Sequence, residues 1–490
     1  MFLGIDLGTS GLKVVLLDRA QRVRASATAP LTVQQPQPLL REQNPHDWWH
    51  ACEGALDDVL RDATTQGIAG EQIEAIGLSG QMHGATLLDA SNQVLRAAIL
   101  WNDGRSHAEC AELERRVPAA RHITGNQMMP GFTAPKLLWV AKHEPQLFER
   151  IAKVLLPKDY LRLRLTGEYA SDMSDAAGML WLDMAQRDWN DDLLAATGLS
   201  RQQMPRLFEG PEITGRLRAE VAQRFGLGQI PVMAGAGDNA AGAIGMGIVQ
   251  PGQAMLSLGT SGVFFVATDG FRANPAQGVH SFCHALPRTW HLMSVMLSAA
   301  SCLDHTQRLT GHTDVQSLLS AAERRGFTDT TPYYLPYLNG ERTPHNNPSA
   351  KAVFFGLDSG TEAADLANAT LEGVGQGLLD GIEAVEATGV RTNEIVLVGG
   401  GSRSDYWVQM LTNIINRPLV RREGGDFGPA LGAARLARLG IDGGSIPDSC
   451  PIPPSLGKFF PDRAQHERHA QRRGNFHRLY RRLEPLYLTA

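Results

Sequence analysis

The stretch Ile5–Asp18 reads IDLGTSGLKVVLLD, and in the second half of the chain Leu256–Asp269 reads LSLGTSGVFFVATD. Both copies place the turn LGTSG between two apolar runs of strand character, which predicts one hairpin in each half. Glycine lets backbone N–H groups come close to an anion, and the Thr and Ser hydroxyls add donors. The sequence therefore predicts two phosphate-binding turns in two related domains, with a nucleotide held between them.

Length and composition favour a two-domain globular protein. The 490 residues exceed a single hydrophobic core, and we place the two domains at residues 1–244 and 245–490. With 43% hydrophobic and 20% charged residues, the chain is expected to be packed and ordered. The net charge of −5 comes without basic stretches interleaved with aromatics, which argues against nucleic acid as a partner. The basic stretch Arg463–Arg482 has the spacing of a surface helix.

The cysteines and the N-terminus indicate the compartment. The five cysteines include no C-x-x-C pair, which argues against a disulfide framework or a zinc site and fits a reducing cytosol. Met1 leads directly into a strand-like run, and no apolar run approaches the length of a membrane span. We expect a cytoplasmic protein without a membrane segment, and the choice between monomer and homodimer stays open.

Strands and helices alternate in both halves, which predicts α/β layers in each domain. In the first half the predicted elements are a helix from Asn44-Pro45, a strand Ile73–Leu78, a hairpin of Ala85–Leu88 with Val94–Trp101, and helices over Ser106–Arg116, Pro135–His143 and Val154–Leu165. In the second half they are a hairpin Ala254–Ala267, helices Ser298–Leu309 and Ala363–Thr388, a strand Glu394–Val398 and a helix Pro429–Leu439.

Two carboxylates stand where phosphoryl-transfer chemistry needs them. Asp6 ends the first strand beside the first turn, and Mg²⁺ prefers oxygen ligands and keeps several waters, so one carboxylate beside phosphates suffices. Ser257 takes this place in the second copy. Asp238 begins a predicted helix at the domain junction, where a carboxylate can accept the proton of a hydroxyl that attacks phosphorus. The alternative for Asp238 is an N-cap that satisfies backbone donors.

Two glycine runs have features of nucleotide-binding motifs. Gly235–Ala240 matches G-x-G-x-x-A, but no acidic residue follows between Asn239 and Thr268 to bind a ribose, so we reject a nicotinamide dehydrogenase. No G-x-x-x-x-G-K-[ST] string occurs, which argues against a P-loop enzyme. Gly399–Ser402 lies between a strand and a helix, which suits close approach of an adenosine to Gly400 and Gly401. A loop that needs positive φ is the alternative.

Polar side chains cluster at the ends of two strands in the first half. One cluster is Ser79–Gly84 and the other is Trp101–Arg105, and together they supply amide, imidazole, carboxylate, guanidinium and indole groups. Such groups could hydrogen-bond a polyhydroxylated ligand and stack on its carbon face. We therefore predict a pocket for a small polar ligand. A loop with a packed histidine is the alternative.

Long motifs over essentially the whole chain resemble the FGGY carbohydrate kinases, within the actin–hexokinase–chaperone ATPase superfamily. The two family signatures are similar to Gly131–Trp139 and to Gly356–Gly373. The strings that carry a closer resemblance, to the members acting on a ketopentose, are Gly80–Gly84, Leu100–Arg105, Gly237–Gly242 and Leu338–Asn347. The resemblance implies two actin-like (ribonuclease H-like) α/β domains with the nucleotide and the sugar in the cleft between them.

The resemblance also implies an activity: ATP-dependent phosphorylation of D-xylulose at O5, with Mg²⁺, in D-xylose catabolism. It assigns Asp238 as the catalytic base and Asp6 as the carboxylate near the metal. The implied nucleotide-binding residues are Gly8, Thr9, Ser10, Gly259, Thr260, Ser261, Gly400 and Gly401. The implied sugar-binding residues are Gln81, Met82, His83, Trp101, Asn102, Asp103 and Asn239.

Two classes of alternative share the phosphate turns. The first is the same chemistry on another polyol or ketose, such as glycerol or L-ribulose. The second is an actin-like filament or a chaperone ATPase, which lacks a sugar pocket, so the two polar clusters argue against it.

Overall fold

The computed structural model describes residues 1–487 and has two mixed sheets flanked by helices, as the alternation of elements predicts. Residues 488–490 of the predicted second domain lie outside this range. The α-helices are α1 Pro45–Thr65, α2 His107–Arg116, α3 Ala120–Thr124, α4 Thr133–His143, α5 Pro145–Phe148, α6 Pro157–Thr166, α7 Met173–Ala177, α8 Asp191–Ala196, α9 Ala219–Phe225, α10 Asp238–Gly245, α11 Ala300–Thr310, α12 Val315–Arg325, α13 Ala363–Glu386, α14 Asp405–Ile415, α15 Gly428–Asp442, α16 Ile446–Ser449 and α17 Arg463–Tyr487.

The strands form two seven-stranded sheets and five two-stranded sheets. They are β1 Phe2–Leu7, β2 Gly11–Leu17, β3 Val23–Pro30, β4 Glu42–Gln43, β5 Ala75–Gly80, β6 Thr86–Leu88, β7 Ala98–Ile99, β8 Lys153–Leu155, β9 Ala170–Asp172, β10 Leu182–Asp183, β11 Asp188–Trp189, β12 Arg206–Phe208, β13 Ile213–Arg216, β14 Pro231–Met233, β15 Ala236–Gly237, β16 Ala254–Leu258, β17 Gly262–Thr268, β18 His280–Cys283, β19 Trp290–Met296, β20 Tyr333–Leu335, β21 Val353–Phe355, β22 Ile395–Val398, β23 Leu419–Arg422 and β24 Ser455–Phe459.

The two sheets repeat one plan around the two LGTSG turns. The first sheet runs β13-β14-β5-β1-β2-β3, and the second runs β18-β19-β17-β16-β22-β23-β24. In the first, β1 pairs antiparallel with β2 and parallel with β5. In the second, β16 pairs antiparallel with β17 and parallel with β22. Both predicted hairpins are confirmed, and each turn emerges at the end of a central strand.

Most predicted helices are present, and α1 shows why its start could be predicted. The Asn44 side chain accepts a hydrogen bond from the backbone N–H of His46 at 3.1 Å, and Pro45 occupies the first helical position. An oxygen-bearing N-cap followed by proline satisfies or removes backbone donors that the helix cannot pair itself.

Two predicted elements are correct only in part, because some of their residues pair with distant segments. The predicted helix Val154–Leu165 is strand β8 followed by α6, which begins at Pro157. The predicted hairpin of Ala85–Leu88 with Val94–Trp101 is held by two isolated bridges, while β6 pairs with β8 and β7 pairs with β4. An apolar run pairs with whichever strand the fold brings to it, and local pattern does not specify that partner.

Helices α10 and α15 join the two sheets. Helix α15 lies across β1 and β5 of the first sheet and packs along α10. The backbones approach so closely that a Cβ on Gly77 would stand 1.8 Å from the carbonyl oxygen of Ala433, and one on Gly432 would stand 1.8 Å from that of Ala241. At its other end α10 shares a buried cluster with Met255 of the second sheet. The predicted domain boundary, between residues 244 and 245, falls inside α10 and stays a prediction.

Within residues 1–487, no helix combines the length and the apolar character needed to span a membrane.

Replacing Gly77 by alanine should destabilise the joint between the sheets. Because the added methyl group would overlap the Ala433 carbonyl, we expect a loss of roughly 1–3 kcal/mol of stability, seen as a lower midpoint of thermal unfolding. Gly54→Ala is the matched control, since Gly54 lies exposed on α1 with no atom within 4 Å of the new methyl group. Equal midpoints for the two variants would contradict the close packing.

Candidate active site

Both LGTSG turns present unused hydrogen-bond donors. The N–H of Gly8 donates to the carbonyl of Gly11 at 3.0 Å, and the N–H of Gly259 donates to the carbonyl of Ser261 at 3.1 Å, so the two turns close in the same way. Three hydroxyls on the turns, those of Ser10, Thr260 and Ser261, have no hydrogen-bond partner within residues 1–487. These hydroxyls can donate to an anionic ligand.

Thr9 instead links the first turn to the predicted sugar cluster. Its hydroxyl donates to Gln81 Oε1 at 3.0 Å and accepts from the indole N–H of Trp101 at 3.0 Å. The Gln81 amide nitrogen in turn donates to Gln43 Oε1 at 2.9 Å, and Gln43 Nε2 donates to the Thr9 carbonyl at 2.7 Å. Gln81 is therefore buried with both amide atoms engaged. This network holds Trp101 against the turn.

Asp238 is close enough to Asp6 to raise the pKa of the Asp6 carboxyl. Burial and the negative charge of Asp238 raise the pKa of Asp6 to about 7, although Lys13 and the hydroxyl of Ser79, which donates to Asp6 Oδ1 at 3.0 Å, act in the opposite direction. Burial raises the pKa of Asp238 to about 6. Two carboxylates that repel each other in this way form a site for a cation or for a shared proton.

The chain before Asp238 fixes the direction of its carboxylate. The N–H of Gly237 donates to Ser174 Oγ at 3.0 Å, and Asp238 is the first residue of α10. Asn239 donates to Asp238 Oδ1 twice, from its backbone N–H at 2.7 Å and from its side chain at 2.8 Å. Oδ2 carries no hydrogen bond within residues 1–487, so it is the oxygen free to accept a proton. The alternative prediction of Asp238 as an N-cap is wrong, because the N-cap of this helix is Gly237.

His83 is held as a neutral imidazole. Its Nδ1 lies 2.7 Å from the carbonyl oxygen of Gly178, so Nδ1 carries the hydrogen and Nε2 is left as an acceptor. Burial, together with the positive charges of Lys136 and Arg342, lowers the pKa of His83 to about 3. The Phe132 ring stands edge-on to the imidazole with centroids 4.8 Å apart. The site thus offers one uncharged acceptor in an aromatic wall.

The structure separates the roles of the three residues at 101–103. Trp101 and Asn102 are exposed and line the cleft. Asp103 is buried and binds the guanidinium of Arg105 at 2.7 Å and the backbone N–H of Arg41 at 2.6 Å. Its carboxylate oxygens are engaged inside the protein, so Asp103 shapes the loop.

A pocket of about 560 Å³ lies against the second turn. It brings together four of the predicted nucleotide residues, which are Gly259, Thr260, Gly400 and Gly401. Its other walls come largely from α11, α12 and α14 and include Leu303, Leu319 and Trp407. Gly399 has a φ of 93°, and a Cβ there would collide with the backbone of Leu258, which explains the glycine run after β22. An apolar pocket beside a phosphate turn suits the base and ribose of a nucleotide.

Sequence reasoning missed several residues at the site. Lys13 faces Asp6 from β2, and Gln43 reaches the first turn from β4. Ser79 belongs to the predicted polar cluster, but its hydrogen bond to Asp6 was not predicted. Arg342, from the second half, lines a pocket with His83, Trp101, Met129 and Phe132. The string LNGERTPHNN contains Arg342 and was a visible signal, whereas nothing near Gln43 pointed to the turn.

Comparisons with known proteins agree with this architecture. The model of the FGGY family of carbohydrate kinases, N-terminal domain, matches residues 1–245, and its C-terminal domain model matches residues 254–440. A xylulose kinase of Escherichia coli is 56% identical over 99% of this chain and 100% of its own length. A xylulose kinase of Bacillus subtilis is 37% identical over 89% of this chain and 88% of its own. The crystal structure of a xyloylose kinase from Brucella ovis has a TM-score of 0.95, with 48% identity and 99% of each chain covered.

The chain belongs to the FGGY family of carbohydrate kinases. The predicted fold class, two actin-like α/β domains, is confirmed by this membership and by the two sheets. Membership also decides against the filament and chaperone alternatives.

The imidazole of His83 should remain uncharged throughout the physiological range. Because burial and two nearby cations lower its pKa to about 3, its ring ¹⁵N resonances should show no titration between pH 8 and pH 5. The resonances are assigned by their loss in His83→Gln and followed in long-range ¹H–¹⁵N spectra. A titration midpoint near 6.5 would contradict the neutral acceptor.

Proposed function

We propose that this protein phosphorylates D-xylulose at O5 with ATP, giving D-xylulose 5-phosphate and ADP. The observation that carries the proposal is the free oxygen of Asp238, close to Asp6 at the end of β1, in a chain 56% identical to a protein named xylulose kinase. Membership of a family of carbohydrate kinases implies that ATP is the phosphoryl donor.

The sugar is expected in the pocket formed by His83, Trp101 and Phe132. Met82 connects this pocket to the base, since a Cβ on Gly237 would meet Met82 Cγ at 2.9 Å. A ketopentose that presents its terminal hydroxyl to Asp238 therefore extends along Met82 toward His83. There His83 Nε2 accepts a hydrogen bond from a hydroxyl, and Trp101 packs against the carbon chain.

Asp238 is proposed to accept the proton of the attacking hydroxyl. With a pKa of about 6 its carboxylate is charged at neutral pH, and it is basic enough to take part in proton transfer. Oδ1 is fixed by Asn239, so the proton goes to Oδ2. In this role Asn239 orients the base, which is the part we propose for it at the sugar site.

The two turns are proposed to hold the phosphates from opposite domains. Ser10, Thr260 and Ser261 donate from their free hydroxyls, while Thr9, whose hydroxyl proton is committed to Gln81, is left to contribute its backbone. Gly8 and Gly259 carry no side chain, so they allow the backbone of each turn to come close to the phosphates. Positioning and electrostatic stabilisation account for most of the rate enhancement in phosphoryl transfer.

The carboxylate of Asp6 fits a magnesium ion. It is a hard oxygen donor at a strand end, and the adjacent charge of Asp238 leaves it short of compensating positive charge. We propose Asp6 as the residue that would hold Mg²⁺ directly or through its water. When bound, Mg²⁺ neutralises charge on the β- and γ-phosphates.

A cytoplasmic location is part of the proposal, because that compartment supplies ATP and keeps thiols reduced. All five cysteines are free and buried. The choice between monomer and homodimer stays open, and sedimentation equilibrium would decide it.

A coupled assay of ADP release tests the substrate directly. We expect D-xylulose to give a higher kcat/KM than D-ribulose, L-ribulose or glycerol, with ¹³C-NMR of the product placing the phosphate on C5. A higher kcat/KM with glycerol or L-ribulose would show that the same chemistry serves another substrate and would overturn the proposal.

Asp238→Asn should bind D-xylulose with near-normal affinity yet lose turnover by about 10²–10⁴, the usual contribution of a positioned general base. In the wild type, kcat/KM should fall about tenfold per pH unit as the pH drops below about 6, because protonated Asp238 cannot accept another proton. Asp62→Asn, an exposed change on α1, is the control. Near-normal kcat in Asp238→Asn would remove this residue from the role of base.

A further inference from the structure

Arg342 reaches the pocket from the second domain. It follows Glu341 in the loop after β20 and lines the cavity with His83, Trp101 and Phe132 of the first domain. Thr343 holds this loop in place, since its hydroxyl donates to the Gly278 carbonyl at 2.9 Å and accepts from the N–H of Val295 at 3.1 Å. The guanidinium thus belongs to a fixed segment of the second domain.

A chain of hydrogen bonds fixes the guanidinium. His280 Nδ1 lies 3.3 Å from Asn126 Oδ1, an acceptor, so the His280 ring has its hydrogen on Nδ1. His280 Nε2 is then the acceptor for Arg342 Nη1 at 3.3 Å. Asn126 belongs to the first domain and also bonds both backbone groups of Ser281. The position of Arg342 in the second domain is therefore fixed by hydrogen bonds that begin in the first domain.

No carboxylate forms an ion pair with this arginine in the described part of the chain. Within residues 1–487 its side chain makes one hydrogen bond, to His280, and no acidic oxygen lies within 4 Å of it. The carboxyl group that acts on it electrostatically is that of the adjacent Glu341, whose pKa burial raises to about 8. The neighbouring His83 and His280 are held neutral, and burial lowers the pKa of these two groups and of Arg342. Leaving a guanidinium without a partner is costly, so its remaining N–H groups point to a ligand that accepts hydrogen bonds.

Donors outnumber acceptors at this end of the pocket. Among the side chains that line it, Arg342 carries the free N–H donors, because the indole N–H of Trp101 is already bonded to Thr9, and the strong acceptor is Nε2 of His83. A carbonyl oxygen has two lone pairs and no hydrogen, so it suits such a place. A secondary hydroxyl would bring a hydrogen that finds no second strong acceptor among these side chains.

We propose that Arg342 selects a ketose over a polyol: its planar fork donates to the C2 carbonyl oxygen of the open-chain sugar and to the neighbouring C1 oxygen, while His83 accepts from the C1 hydroxyl. The inference rests on the proposed function, because the sugar lies with its terminal hydroxyl at Asp238 and its ketone end at His83. Arginine is suited to this task because two parallel N–H groups match two adjacent acceptors.

The test compares D-xylulose with xylitol and D-arabinitol, the two polyols that differ from it only at C2. Dissociation constants are measured by calorimetry, and kcat/KM is measured where turnover occurs. Arg342→Met should weaken the binding of D-xylulose by about 10- to 150-fold, the range for losing a hydrogen bond to a charged group. The dissociation constants of the two polyols should change by less than about threefold. Arg342→Lys keeps the charge without the fork and should recover part of the ketose preference. Arg324→Met, exposed on α12, should leave all constants unchanged.

An equal loss for ketose and polyols in Arg342→Met would show that the residue stabilises the loop or contacts the phosphate, and would overturn the inference. An unchanged affinity for D-xylulose in Arg342→Met would overturn it as well. If Arg342→Met does not fold, the ketose-to-polyol ratio in Arg342→Lys decides the same question. A wild-type protein that phosphorylates a different sugar contradicts the proposed function itself, whereas a wild type active on D-xylulose with an unchanged ratio in the variants contradicts only the role of Arg342.

Discussion

The packing of α10 against α15 is the constraint on which the rest of the structure depends. The two helices meet with backbone against backbone, because Gly432 of α15 carries no side chain to keep it from Ala241 of α10, and Gly77 of β5 lets α15 approach the first sheet in the same way. Helix α15 thereby covers the first sheet while α10 reaches the second. Asp238 begins α10, which places the proposed base at the joint between the domains. Fold and chemistry therefore depend on the same contact.

The two ends of the cleft differ in charge and in the hydrogen-bonding groups that they offer. One end collects carboxylates with raised pKa values, Asp6 and Asp238, which suits a cation and a proton acceptor. The other end collects a guanidinium without an acidic partner and a neutral imidazole, which suits uncharged oxygen acceptors and a hydroxyl. A substrate with an alcohol at one end and a hydroxyketone at the other matches this asymmetry. Both carboxylates belong to the first domain, whereas the second end combines His83 of the first domain with Arg342 of the second.

Local features of the sequence were sufficient for the parts of the fold that local chemistry decides. The two hairpins, the capped start of α1 and the glycine run after β22 each carry their own signal, and the structure contains all of them. The errors concern β6, β7 and β8, whose partners come from distant parts of the chain. The same limit applies to the site. Asp238 and Arg342 lie in recognisable strings, whereas Gln43 reaches the cleft only through tertiary packing, which also decides what Arg342 contacts.

The most direct test is a crystal structure of the complex with a non-hydrolysable ATP analogue, Mg²⁺ and D-xylulose. We predict that Asp238 Oδ2 lies about 2.6–3.2 Å from the O5 hydroxyl, the reach of a general base, with that hydroxyl in line with the γ-phosphorus and with both turns contacting the phosphates. A sugar bound with O5 beyond the reach of Asp238, or a triphosphate that touches only one of the two turns, would contradict the account.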